Sequence, residues 1–168
     1  KEVQVLQKNA DIAMCQAKES GENEYKFFTG DMQEQLAERG RLEADIHSAL
    51  RMKQFALVYQ HKVDVQTKQL KGMEALIRWN CPTRGLVHPE DFSRTAEERG
   101  YIVPLGYRII GEICRAIQKW DDDGLKIVPV SINISARKFQ EKDFAEKVAE
   151  SLDSHGINAD LIELELTE

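Results

Sequence analysis

The chain carries few of the residues that mark secreted, membrane-spanning or nucleic-acid-coating proteins. Its 3 cysteines, Cys15, Cys81 and Cys114, are odd in number and widely spaced, so they suggest neither a disulfide framework nor a zinc site and fit a reducing cytoplasm. His47, His61, His88 and His155 are scattered without HExxH-like spacing and read as surface or packing residues. No run is apolar enough or long enough to cross a membrane, so no membrane contact is expected within this segment. Lys1-Glu2-Val3 opens in mid-helix with neither a Met start nor an apolar leader, which reads as a piece of something longer, with an upstream anchor left open. A net charge of -6 with interspersed signs argues against DNA or RNA as a partner, because phosphate backbones reward dense Lys/Arg surfaces. A small anionic ligand stays open, and 168 residues at 42% hydrophobic can hold one ordinary core.

Periodicity supplies the organisation. Leu6, Ala10, Ala13, Met14 and Ala17 recur at helical spacing, Ser20-Gly21 stops them, and Tyr25-Lys26-Phe27-Phe28 reads as a short strand. A polar helix is expected from about Asp31 to Lys53, with Leu36, Leu42, Ile46, Ala49 and Leu50 as an uneven apolar stripe. From Phe55 strands and helices alternate: a strand at Leu57–Gln60, a turn at Gln66–Lys68, a strand from Leu70 to Trp79, and a loop through Pro82 and Gly85. Pro89 is placed to open a helix, with Glu90 and Asp91 at its positive end. Pro104 opens another, Ile127–Ile134 is a strand, Phe144, Val148 and Leu152 mark a helix ended by Gly156, and Leu161–Leu166 is a last strand. Such repeats imply an α/β protein with a parallel sheet covered by helices, a pattern that doubly wound sheets and barrels both satisfy.

The strand Gly72–Trp79 contains an acid and a base. Alternation puts Glu74, Leu76 and Arg78 on one face and Met73, Ala75, Ile77 and Trp79 on the other. A carboxylate in an apolar setting needs a partner, so Glu74 calls for Arg78, a cation or water. Two further strands keep their polar groups on one face: Ser131, Asn133 and Ser135, then Glu163, Glu165 and Thr167. Polar residues late on successive strands are what a barrel active site is built from. Glu74, Asn133 and Glu165 offer oxygen donors of the kind hard divalent cations take. Taken singly, a strand glutamate is more often salt-bridged than metal-bound, and an asparagine near a strand end is usually a turn former.

The runs Leu57-Val58-Tyr59-Gln60, Glu74-Ala75-Leu76-Ile77-Arg78-Trp79, Pro89-Glu90-Asp91-Phe92, Val130–Arg137 and Leu164–Glu168 together resemble the EAL domain, bacterial phosphodiesterases that open cyclic di-GMP to the linear dinucleotide pGpG. The resemblance covers roughly residues 41–168 and implies the first half of a modified (β/α)₈ TIM-like barrel. Residues 1–28, with Ala10-Asp11-Ile12-Ala13-Met14 and Gly21-Glu22-Asn23, look like the C-terminal end of a GGDEF domain, and 29–40 would be a helical linker. Lys18 would match a phosphate-contacting lysine there, whereas Glu22 stands where active cyclases carry arginine. By the same resemblance Glu74, Asn133 and Glu165 would hold Mg²⁺ or Mn²⁺, Gln60 and Arg78 would hold the substrate, and Leu76 would line its site.

Further metal-binding aspartates, a catalytic lysine and a late glutamate belong to the family's second half-barrel, so no catalytic base is expected before Glu168, and this segment alone is not expected to turn over substrate. Glu168 would face away from Glu165 if the strand continued. The chain departs from the family at His61, where proline is usual, and at Ser93-Arg94-Thr95, usually more apolar. The resemblance also implies pairing of copies through the EAL domain. The alternatives are a non-catalytic cyclic di-GMP receptor or scaffold, which often loses the glutamate and asparagine retained here, and an unrelated α/β binding domain with Glu74–Arg78 as a structural ion pair.

Overall fold

A computed structural model describes residues 2–19, 21 and 23–167; the Ser20 stop, Glu22 and Glu168 lie outside the described residues. The chain divides into two compact units, Lys1–Asp45 and Ile46–Glu168.

In the first unit, α1 spans Glu2–Glu19, and a second helix, α2, spans Gly30–Met52 and runs on into the second unit. Ile12, Ala13 and Ala17 are buried, as helical spacing predicts, and Gln16 Nε2 donates to Gln35 Oε1 at 2.8 Å. Tyr25–Phe28 is not a strand. It has no sheet partner among the described residues, and a strand is defined by the neighbour that takes its N–H and C=O groups. Tyr25 and Phe27 instead make an edge-to-face pair at 5.5 Å, both rings largely exposed.

The second unit contains β1 (Phe55–Val63), β2 (Leu70–Cys81), β3 (Gly85–Val87), α3 (Pro89–Glu98), α4 (Ile102–Asp122), β4 (Val130–Ser135), α5 (Ala136–Phe139), α6 (Phe144–Ser154) and β5 (Ile162–Thr167). Sheet order is β1-β2-β4-β5, with β3 folded back on the end of β2. β2, β4 and β5 are parallel, whereas β1 and β3 run antiparallel to β2. The loop expected through Pro82 and Gly85 thus contains a short strand, made possible by Gly85 at φ 74°, a conformation glycine adopts without a Cβ clash. The four-residue helix α5 is likewise additional to the sequence reading, capped by Ser135 Oγ accepting from the Lys138 N–H.

The β1–β2 turn is held by Asp64. Its Oδ1 accepts from the Gln66 N–H at 3.0 Å, the Thr67 N–H at 2.7 Å and the Thr67 hydroxyl at 3.0 Å. These bonds, those to Thr67 first, pull the Asp64 carboxyl below its usual range.

One face of the sheet is covered. Ile110, Ile113, Cys114 and Ile117 of α4 pack with Ala75, Val130, Ile132 and Ile134 of the sheet and with Phe144, Val148 and Leu152 of α6. Each fully buried isoleucine contributes roughly 1.5–3 kcal/mol by removal from water. A second cluster joins Phe55, Trp79 and Phe92 with ring centroids 5.5–5.7 Å apart, and the Trp79 indole donates to Gln54 Oε1 at 3.1 Å. It fastens α3 to the far end of β2.

Lys138 is buried. Its Nζ donates to the Val103 carbonyl at 2.9 Å and lies 3.3 Å from the Tyr107 ring centroid. Gly106 makes room for it, since a Cβ there would come within 2.5 Å of Lys138 Cδ. The segment that follows Asn133 is thereby tied down to α4.

Candidate functional site

Strand parity decides which side chains meet on the uncovered face. β1 presents Val58, Gln60 and Lys62 there, β2 presents Glu74, Leu76 and Arg78, β4 presents Ser131, Asn133 and Ser135, and β5 presents Glu163 and Glu165. Register then sets their levels. Gln60 pairs with Glu74, Glu74 with Ser131, Ser131 with Glu163, and Asn133 with Glu165.

Glu74 and Asn133 meet directly. The Asn133 amide Nδ2 donates to Glu74 Oε1 at 2.7 Å, a bond between residues 59 apart in sequence. The bond uses the amide's donor side, so Oδ1 remains an acceptor for another group. Glu165 is engaged from below. Lys62 Nζ lies 2.5 Å from Glu165 Oε1 and 2.6 Å from Ser131 Oγ, and the Ser131 hydroxyl donates to Glu163 Oε2 at 2.7 Å. Ser131 is fully buried, while Lys62 and Glu165 keep 41% of their side-chain surface in solvent. The Lys62 bond chiefly holds the Glu165 carboxyl below its usual range. The bond to Glu165 chiefly raises Lys62, with Glu163 and Glu74 adding to the field.

Arg78 does not pair with Glu74. It is half-buried, and its Nη1 donates to the Ile77 carbonyl at 2.8 Å. Asn133 thus stands where the sequence offered Arg78 as the side-chain partner of Glu74, because a residue on the neighbouring strand is closer than a side chain two rungs along the same strand. Gln60 is exposed beside Glu74, and Leu76 and Arg78 lie further along β2 toward its C-terminal end. His61 points to the opposite face, and within Ser93-Arg94-Thr95 the Arg94 side chain pairs with Glu98 at 3.1 Å while Thr95 is buried, so neither departure reaches these residues.

The donor set suits a hard cation in its chemistry. It offers two carboxylates and an amide oxygen, and an ammonium already lies against one of the carboxylates. Among the described residues no three His, Cys, Asp or Glu side chains form a metal cage by themselves. Asn133 adds an amide oxygen to the carboxylates of Glu74 and Glu165 on this face.

The sequence profile of the EAL domain matches residues 43–168. The chain belongs to the EAL domain family. It is 36% identical over 160 residues to a Pseudomonas aeruginosa protein, the bifunctional diguanylate cyclase/cyclic di-GMP phosphodiesterase MucR, covering 95% of this chain and 23% of that one. It is also 36% identical over 161 residues to the Escherichia coli cyclic di-GMP phosphodiesterase PdeR, covering 96% of this chain and 24% of that one. This chain therefore spans about a quarter of those relatives' length. Among solved structures, the PaMucR phosphodiesterase in complex with c-di-GMP superposes with a TM-score of 0.73 at 34% identity, over 76% of this chain and 52% of that one. The cGMP-bound form of the EAL enzyme Bd1971 superposes with a TM-score of 0.72 at 31% identity, over 80% and 38%. The fold is accordingly a part of the EAL domain's TIM-like barrel, with its antiparallel β1 and its parallel β2, β4 and β5.

Lys62 was absent from the residues singled out from the EAL sequence pattern. Its signal was there: two residues after Gln60 on a strand, it must share that face.

Proposed function

We propose that this EAL domain segment belongs to a divalent-metal-dependent cyclic di-GMP phosphodiesterase that yields linear pGpG. The observation that carries the reading is the convergence of Glu74 and Asn133, from strands 59 residues apart in sequence, beside Glu165. Two similar relatives, the bifunctional MucR and PdeR, are named as cyclic di-GMP phosphodiesterases, and a similar solved structure holds that dinucleotide.

In this reading Glu74, Asn133 and Glu165 are ligands of Mg²⁺ or Mn²⁺. A bound cation supplies polarisation of the phosphodiester and a water of lowered pKa. The chain's own residues do the rest. Asn133 fixes the Glu74 carboxylate through Oε1, and Lys62, itself held by Ser131, fixes Glu165 from beneath. Arg78 offers planar donors suited to a phosphate oxygen once its own-strand carbonyl contact is exchanged for substrate, and Gln60 both donates and accepts at the dinucleotide. Leu76 gives the base or ribose an apolar wall. The same reading places the domain in the cytoplasm, with residues 1–28 as the end of a GGDEF domain, 29–40 as linker, and copies pairing through the EAL domain.

The test is hydrolysis of cyclic di-GMP by the full-length protein with Mg²⁺ or Mn²⁺, wild type against Glu74→Gln. Metal-dependent turnover lost in the variant is expected. Turnover that survives Glu74→Gln, or never depends on metal, would refute the assignment.

A further inference from the structure

Three observations converge on Lys62. Strand parity puts it on the site face, level with Gly72 and one rung below Gln60, at a register shift between Lys62 and Val63 that turns the strand end. Its stem runs over Gly72: a Cβ on Gly72 would be in ordinary van der Waals contact with Lys62 Cδ at 3.9 Å and Cβ at 4.0 Å, while the close approach that Gly72 permits, at 3.2 Å, is to the Pro129 carbonyl oxygen. The ammonium ends 2.5 Å from Glu165 Oε1 and 2.6 Å from Ser131 Oγ, with Ser131 linking on to Glu163.

We propose that Lys62 is a built-in counter-cation of the Glu74–Asn133–Glu165 cluster, a positioning residue that holds Glu165 through Oε1 and sets the cluster's affinity for divalent cations by competing with them. The proposal rests on the metal reading above. The physical case is charge balance. Glu74, Glu163 and Glu165 bring three carboxylates to one face, and the Lys62 charge interacts attractively with all of them. Without a metal ion the ammonium offsets their mutual repulsion. With one, the same ammonium is a like charge beside the incoming ion, and it must either yield Oε1 or weaken binding by repulsion. The lysine head sits on a flexible stem that can withdraw into solvent. Ser131, buried and bonded to Lys62 and Glu163 alike, keeps the head near the cluster rather than fixed to one oxygen.

The experiment is Mn²⁺ titration of the full chain at low ionic strength, followed calorimetrically, with thermal melts in the absence of metal. Wild type, Lys62→Met, Lys62→Arg and Glu74→Gln are compared. Lys62→Met is expected to bind Mn²⁺ about three- to tenfold tighter and to melt lower when metal-free, since partly exposed charges interact modestly. Lys62→Arg, which keeps the charge, is expected to stay within about twofold of wild type. Unchanged or weaker Mn²⁺ binding by Lys62→Met overturns the proposal. If Lys62→Met is unfolded without metal, refolding on addition of Mn²⁺, seen by circular dichroism, supports it, and failure to refold overturns it. Glu74→Gln tests the metal reading separately: Mn²⁺ binding left intact there defeats that reading whatever Lys62 does, and no binding by either wild type or Lys62→Met defeats both.

Discussion

Replacing Lys138 by methionine should remove an alkaline gain in stability that the wild-type chain possesses. The side chain is 1% exposed, with its ammonium on the Val103 carbonyl at 2.9 Å and over the Tyr107 ring at 3.3 Å. Burial, and secondarily the nearby Lys147 charge, push its pKa from 10.5 down to about 8. The sign follows from proton counts. Between pH 8 and 10.5 the unfolded chain still holds the Lys138 proton that the folded chain has released, so unfolding becomes harder as pH rises through that window. The full span corresponds to about 3 kcal/mol, most of it gained by pH 10. Below pH 8 both states carry the proton and the cost of burying the charge is constant.

Methionine has a similar unbranched shape, keeps contact with the Tyr107 ring, and leaves the Val103 carbonyl in the ladder of α4. It loses the cation–π attraction, about 0.5–2 kcal/mol, and escapes the desolvation cost, so at pH 7 it should be no less stable than wild type within about 1 kcal/mol. The assay is urea unfolding of both proteins from pH 7 to 10 by tryptophan fluorescence, since other alkaline titrations cancel in the difference. A wild-type minus variant difference that stays flat from pH 8 to 10 would refute the burial of a charged Lys138.

Phe92→Ala should cost about 3–5 kcal/mol in urea unfolding, because Phe92 is 1% exposed and its ring meets both Trp79 and Phe55; a loss under about 1 kcal/mol would mean that α3 is not seated there. Asp64 has its carboxyl held low by the turn, so its contribution is present above the unfolded pKa and lost as pH falls through the lower folded value. Asp64→Asn keeps the acceptor oxygen but cannot titrate, so acid unfolding curves of wild type and variant should converge toward low pH, and parallel curves would count against the turn's role.

Much of the site could be read from alternation alone, because parity on a strand is a rigid rule: Glu74, Leu76 and Arg78 do share a face, as do Asn133 with Ser131 and Glu165 with Glu163. What parity cannot supply is register between strands distant in sequence. That is why Asn133, rather than Arg78, turned out to hold Glu74, and why Lys62 went unnoticed although Gln60 beside it did not. Tyr25–Phe28 has the composition of a strand, but among the described residues no sheet edge takes its backbone, and composition is silent on partners. β3 and α5 are too short, at 3 and 4 residues, for periodicity to register, and each is made by its neighbour: β3 by the end of β2, α5 by the Ser135 cap and the anchoring of Lys138.

The antiparallel pairing of β1 with β2 has a kinetic meaning. Gln60, Lys62 and Glu74 sit on a hairpin closed by a short Asp64-centred turn, whereas Asn133 and Glu165 reach them only through side-chain contacts that span 59 and 103 residues and depend on the parallel pairings of β4 and β5. Local hairpins close in microseconds, and long-range parallel pairings are slower because loop closure costs entropy before contacts reward it. One half of the candidate site is therefore expected to exist as a nascent element before the other arrives. The Lys62 ammonium, already in place on that hairpin, then gives the late-coming Glu165 strand a charge to dock against.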